Sequence, residues 1–241
     1  MTSVLAGFDL ADMLRCSLGV REAMRSAPTM ETAARECCQF LYRELVTDAG
    51  EPACALVRCY KTHQFQHLDH YLQTVARRSL PEGDRPTAGM RCLTLLATAG
   101  IERGWNDRRR SVGHQAIPLP TAAVVERAPM VAQLIRALGL DIAAAIAPSG
   151  DLVRDLAGKT YGVFYVAEAL GSQFIPAQDF VREHDIRSVI GFGGVLPSGD
   201  LFAVILFARV PVSTASADRF RTIALDVKSS LIRYQADQVF D

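Results

Sequence analysis

The amino-acid sequence predicts an α+β domain: an antiparallel sheet of about five or six strands with helices packed on its faces, preceded by an N-terminal helical segment. Three observations carry that expectation. Short apolar runs rich in strand formers recur along the chain between segments of helical periodicity. Two of these runs, residues 186–196 and 201–210, are separated only by Pro197, Ser198, Gly199 and Asp200, turn formers that make antiparallel pairing the natural arrangement. Behind them, Phe220, Ile223, Val227, Leu231 and Tyr234 recur at spacings of 3, 4, 4 and 3, the seam of an amphipathic helix.

The elements follow in chain order. Leu5, Phe8, Leu10, Met13, Leu14 and Leu18 suit one or two short amphipathic helices that end near Ser26, Ala27 and Pro28. Residues 1–28 are therefore set apart as a helical segment, and residues 29–241 form the domain itself. Thr29 is placed to cap a helix over residues 30–46, with Cys37, Phe40, Leu41 and Leu45 at helical spacing, and Asp48, Ala49 and Gly50 stop it. Residues 54–60 read as a strand, with Lys61, Thr62 and His63 leading into a polar helix over 68–78; residues 81–89 are a loop and 91–97 a second strand. Residues 100–113 hold three glycines, the only tryptophan and the run Arg108, Arg109, Arg110; so long a connection in a compact domain is a candidate lid or binding loop. A third strand over 114–119 is closed by Pro118 and Pro120. Pro129 suits the first turn of a helix whose face is Val131, Leu134, Ile135 and Leu138. Residues 142–146 are too few for periodicity to choose between strand and helix, and residues 161–166 are a further strand. The run 201–208 lacks polar alternation, so it belongs in the middle of a sheet with both faces covered.

The 26 basic and 26 acidic residues cancel, with neither sign gathered in one half, which argues against nucleic acid or an anionic membrane as a partner. The longest apolar stretches fall far short of the roughly 20 residues of a membrane-spanning helix. An acid at Asp9 and no basic leader argue against a secretory signal, so a cytoplasmic protein is expected. The six cysteines form no Cys-x-x-Cys pair and no zinc-type spacing, which favours reduced thiols. Cys54 and Cys59 lie five apart on one strand, an odd separation that puts them on opposite faces.

Chemistry-bearing patterns are sparse. His67 and His70 would share a helix face, and such a pair can bind metal, but without a matching Cys or carboxylate the plainer reading is surface histidines, and a metal is left unassigned. His114 follows Gly113 and is placed to point into a pocket, whereas His184, between Glu183 and Asp185, reads as part of a solvated charge cluster. There is no Gly-x-Ser-x-Gly elbow and no phosphate loop. Gly191, Gly193 and Gly194 lack dinucleotide spacing and enter a hairpin rather than a helix, where glycines relieve crowding or form a bulge.

The strand beginning Ile186-Arg187-Ser188-Val189, the glycine-containing run to Leu196, the Ser198-Gly199-Asp200 turn, the strand from Leu201 and the acidic helix start at Asp218 resemble, in this order, the end of a GAF domain. The resemblance is looser from Met30 onward; it extends to the N-terminal sensor segments of bacterial histidine kinases and related signalling proteins. Neither the residue arrangement of cyclic-nucleotide-binding GAF domains nor a chromophore cysteine beside a histidine is present. The resemblance implies a bacterial signalling sensor domain, as in two-component systems, that binds a small ligand in its pocket. Occupancy would pass through the helices of a homodimer, paired along the helix Phe220 to Tyr234, to a kinase or other output partner. Cys59, Cys92, Trp105, Asn106, Asp107, His114, Tyr161 and Phe164 are the candidate ligand-binding residues. No catalytic residue is assigned and no enzyme is expected; the ligand is open, with haem or another small molecule admitted. Two alternatives stand: a ligand-free dimerisation module, and a GAF-type thiol enzyme that reduces methionine sulfoxide through Cys59 and Cys92.

Overall fold

In a computed structural model that describes residues 2–148, 161–234 and 240, the chain opens with the short strand β1 (Ser3–Val4), helices α1 (Leu10–Met24) and α2 (Met30–Glu44), and the strand β2 (Leu45–Val46), which pairs in parallel with β1. Both helices begin where side chains satisfy the first free amides. Asp9 accepts from the Asp12 amide while Asp12 reciprocates, and Thr29 accepts from the Thr32 amide. The main sheet is built from β3 (Cys54–Gln64), β4 (Arg91–Gly100), β5 (Ala116–Leu119), β6 (Tyr161–Val166), β7 (Ser188–Val195) and β8 (Leu201–Ala208). Between these strands lie α3 (His70–Arg78), α4 (Ala122–Glu126), α5 (Pro129–Ala137), α6 (Ile142–Ile146) and α7 (Gln178–Glu183), and α8 (Thr214–Asp218) and α9 (Phe220–Leu231) close the order.

The six strands run β5-β4-β3-β8-β7-β6, every neighbouring pair antiparallel. β3 and the wholly apolar β8 sit at the centre, each hydrogen-bonded to a strand on both sides, with nearly every residue buried. β3 runs on through Lys61, Thr62 and His63, residues that read as a lead into a helix, because the backbone keeps pairing with β4 and the side chains of Lys61 and Thr62 find partners across the sheet. Lys61 Nζ donates to Asp200 Oδ2 at 2.8 Å, Arg91 Nη1 donates to Asp200 Oδ1 at 3.0 Å and to the Gly199 carbonyl at 2.9 Å, and Thr62 Oγ1 accepts from the Leu201 amide at 2.9 Å. The turn from Pro197 to Asp200 is thereby docked on the two neighbouring strands.

Helices α1, α2 and α9 cover one face, burying Phe8, Met24, Leu41, Phe220 and Val227 against Val57, Cys59, Phe192 and Val204. The short helices α4 to α7 lie over the other face, above Leu56, Tyr60, Leu93, Ile205 and Phe207. A smaller cluster under α3 holds Leu72, Ala76 and Cys92 near the β5 edge. Two glycines set the spacing. A Cβ on Gly162 would lie 1.7 Å from the Ala137 carbonyl oxygen, so α5 rests on β6 at a point where only glycine fits, and a Cβ on Gly193 would lie 2.1 Å from the Phe202 carbonyl oxygen.

Several expectations change here. The seam of the last helix is spent inside the chain: Phe220, Ile223, Val227 and Leu231 are all 0% exposed and none is left for a second subunit. Tyr234 Oη donates to the Ala27 carbonyl at 2.7 Å, and Asp226 accepts from Ser17 and, at 2.5 Å, from Arg21 Nε, so α9 is tied to α1 and the segment 1–28 joins the same core rather than standing apart. What α1 exposes is Leu10, Leu14 and Leu18, a stripe four residues apart. Cys54 and Cys59 join the same cluster, because an irregularity between Cys54 and Leu56 shifts the alternation by one residue. His67 ends a short turn and His70 begins α3, both exposed rather than on one helical face. No helix among the described residues is long and apolar enough to cross a membrane.

His63 is buried with neither ring nitrogen hydrogen-bonded, its ring 5.2 Å from that of Phe240. Burial, and after it the Lys61 cation, pushes its pKa from 6.5 down to about 3. The fold therefore holds His63 neutral, and the stability this contributes is complete above 6.5 and is lost as pH falls from there toward about 3, at about 1.4 kcal/mol per pH unit. His63→Leu is expected to flatten that slope and to leave stability near neutrality undiminished, since it removes two unsatisfied nitrogens. Urea unfolding at about pH 7 and about pH 5 measures it; an unchanged slope would count against the assignment.

Candidate functional site

A cavity of about 660 Å³ opens on the face covered by α4 to α7, within the range of small-molecule sites. Its floor comes from alternate residues of the central strands, Leu56, Arg58 and Tyr60 of β3, Leu93 of β4 and Ile205 and Phe207 of β8. Met130, Val131 and Leu134 of α5 form one wall, and Ile175, Pro176 and Phe180 another. The loop from Glu102 to Gln115 supplies the third, with Trp105, Val112, Gly113 and His114.

That loop is a fixed structure. Asn106 accepts from the Gly100 amide at 3.1 Å and donates back to the Gly100 carbonyl at 3.0 Å, while Asp107 accepts from the Arg109 amide at 2.9 Å. Arg108, within the run that read as solvated, turns inward to pair with Glu31 of α2 at 2.6 Å, both side chains under a tenth exposed. Gln115 donates to the Arg108 carbonyl at 2.8 Å and accepts from Tyr71 at 2.7 Å. Trp105 packs edge-on against His184, with ring centroids 4.7 Å apart, and against Phe180 at 5.8 Å. His184 thus belongs to an aromatic cluster behind the cavity wall instead of a solvated charge cluster. The turn through Gly113 (φ 84°) and His114 (φ 57°) holds two successive residues in the left-handed region. It places His114 at the cavity mouth, where packing and then the Arg58 cation lower its pKa from 6.5.

Of the residues singled out from the sequence, Trp105 and His114 line the cavity. Phe164 lies on the same face, beside Leu134 and Gly191, but behind the wall. Asn106 and Asp107 shape the loop without facing the cavity. Tyr161 lies on the opposite face under the Lys228 ammonium, 4.8 Å from its ring centroid. Cys59 and Cys92 correct the sequence reading most: both belong to the face away from the cavity, because Leu56, Arg58 and Tyr60 take the alternate positions of β3 and Cys92 stands opposite His63. All six cysteines are buried and free, and burial pushes the Cys59 and Cys92 thiols up to about 12. Among the described residues no group of three His, Cys, Asp or Glu side chains is arranged as a metal site requires.

The polar floor residues Arg58 and Tyr60 were missed. Their signal was present: in Leu56-Val57-Arg58-Cys59-Tyr60, the arginine and tyrosine share a face of an otherwise apolar strand, and an arginine there must meet something polar.

No family model matches the chain, and no curated protein matches it. Solved structures do. The GAF domain of a phosphoenolpyruvate-protein phosphotransferase from Coxiella burnetii aligns over 94% of this chain and 96% of its own, with a TM-score of 0.50 and 11% identity. The corresponding Acinetobacter domain aligns over 93% and 95% at a TM-score of 0.43 and 12% identity, and the phycoerythrobilin-bound GAF domain of a cyanobacterial phytochrome over 92% and 95% at 0.43 and 9%. The fold of this chain is GAF-like, with a six-stranded antiparallel sheet between two helical layers.

Proposed function

We propose that this chain is a sensory domain that takes a small organic molecule into the cavity over β3, β4 and β8 and passes occupancy to the layer of α1, α2 and α9. The observation that carries the reading is the cavity itself, about 660 Å³ and walled mainly by apolar side chains, on a fold of GAF type. A route between the layers supports it: the loop from Glu102 to Gln115 touches Arg58 of the cavity floor through Ser111 and Gly113, and α2 through the Arg108–Glu31 pair. A ligand that moves the first contact biases the second.

The same geometry argues against thiol catalysis at Cys59 or Cys92, whose high pKa leaves little thiolate at neutral pH and whose side chains lie away from the cavity. The cytoplasm suits six buried free thiols. A homodimer feeding a kinase or other output partner remains part of the proposal, with its contact moved to the exposed leucines of α1.

Trp105 is the single tryptophan and lines the cavity, so it reports occupancy. Titration with the neutral apolar dye N-phenyl-1-naphthylamine is expected to quench Trp105 by energy transfer and to saturate at one dye per chain. Protein purified from its native host is expected to release a small molecule on denaturation. Protein that is empty and a Trp105 signal indifferent to the dye would favour a ligand-free interaction module.

A further inference from the structure

We infer that the cavity is built for an apolar organic acid, its carboxylate held by Arg58 and Tyr60 and its body lying along the apolar walls. This rests on the cavity being a ligand site and adds the chemistry of the ligand. Arg58 is 8% exposed, on a central strand, and lines the cavity. Its partners are neutral: Ser111 Oγ at 2.8 Å, Tyr60 Oη at 3.3 Å and the Gly113 carbonyl at 3.5 Å, with Nε lacking any partner. Among the described residues no carboxylate lies within ion-pair distance of it. The contrast with the rest of the molecule is direct, because buried Lys61 and Arg91 share Asp200 and buried Arg108 faces Glu31.

A cation taken out of water without a counter-charge is costly, and a fold that keeps one at the floor of a cavity leaves it for an anion that enters. A guanidinium edge suits the two oxygens of a carboxylate. Tyr60 accepts from Arg58 and retains its own proton to donate; burial, opposed by Arg58, raises its pKa and keeps it a phenol near neutrality. His114, favoured as the neutral imidazole, adds a donor at the mouth. Arg127 also lines the cavity but is exposed, so the buried cation on offer is Arg58 alone, and one guanidinium with one hydroxyl answers one negative charge better than the two of a phosphate monoester. Apart from Arg127, the walls are mainly apolar, with Leu93, Trp105, Met130, Leu134 and Phe207, and suit an aromatic ring or a medium-length alkyl chain.

The test compares acid with amide. The full chain is titrated with decanoate and with 1-naphthylacetate, and with the primary amide of each, by calorimetry and, for the decanoyl pair, by Trp105 emission; the titrations are repeated on Arg58→Met and Arg58→Lys. Each acid is expected to bind at least about tenfold more tightly than its amide, the worth of one charge-assisted contact. Arg58→Met should erase the difference and Arg58→Lys should restore part of it. Amide binding as tight as acid, or binding of neither while N-phenyl-1-naphthylamine still enters, overturns the inference and leaves the cavity reading intact. Failure of all five probes overturns both. The acid and amide comparison needs only the unaltered chain, so it decides the matter even where Arg58→Met does not fold.

Discussion

Val227→Asp is expected to abolish the cooperative thermal transition, whereas Leu14→Asp leaves it within a few degrees of the unaltered protein. Both positions belong to apolar helical stripes, and from the sequence alone either one serves as a subunit contact. The structure separates them. Val227 is 0% exposed, in the cluster that holds Phe192, Val204 and Phe220, while Leu14 is 54% exposed on the outer side of α1. A carboxylate at the first position is taken out of water among apolar side chains, a loss of about 5 kcal/mol that matches the whole stability of many domains. At the second it stays in solvent. Circular dichroism melts decide the stability question, and light scattering adds the assembly question, because Leu14→Asp is also expected to halve the mass of a dimer formed on α1. A Val227→Asp protein that melts normally but loses its partner would return the seam to the interface.

That pair also marks what the sequence made legible. Local signals did well. The hairpin of β7 and β8, the strand Tyr161–Val166, the Thr29 cap and the Pro129 helix start fall where turn chemistry and periodicity put them, because each is decided by neighbours in the chain. What failed depended on distant partners. A seam of period 3.6 says that a face will be covered and does not say by what, so the helix from Phe220 to Tyr234 read as a dimer helix although its own sheet covers Phe220, Ile223 and Val227. Counting alternation from Cys54 put it opposite Cys59, and one irregularity in β3 cancelled the count. Arg108 read as solvent-facing because Glu31, its partner, lies on α2, 77 residues earlier in the chain. The candidate site was legible in its loop, through Trp105 and His114, and illegible in its floor, since the thiol of Cys59 is the more conspicuous reactive group beside Arg58 and Tyr60.

Asp200 was legible only as a turn former, and its replacement carries the other large effect: Asp200→Ala is expected to cost about 3–5 kcal/mol, far more than the removal of a surface turn residue. Its carboxylate lies between Lys61 Nζ at 2.8 Å and Arg91 Nη1 at 3.0 Å, and all three side chains are less than a fifth exposed. Burial alone would raise the pKa of Asp200; Lys61, the Ser198 hydroxyl and Arg91 outweigh it and hold the value below 3.8. The stability this gives is present above that ordinary value and is lost as pH falls below it. Lys61 shows the other side of the balance, since burial keeps its pKa below 10.5 even with Asp200 in contact. Without the carboxylate, Lys61 and Arg91 remain as two buried cations, and Lys61 gains a stronger preference for its neutral form. The Asp200→Ala protein should therefore become more stable as pH rises from neutrality toward 10.5, because the folded chain then binds fewer protons than the unfolded one. Adding Lys61→Met removes one orphaned cation and should recover part of the loss, leaving Arg91 with the Gly199 carbonyl and Thr62. Urea unfolding of the single and double variants across that pH range measures both effects. A double variant no more stable than Asp200→Ala would mean that the carboxylate matters for the shape of the turn, and that the buried cations do not depend on its charge.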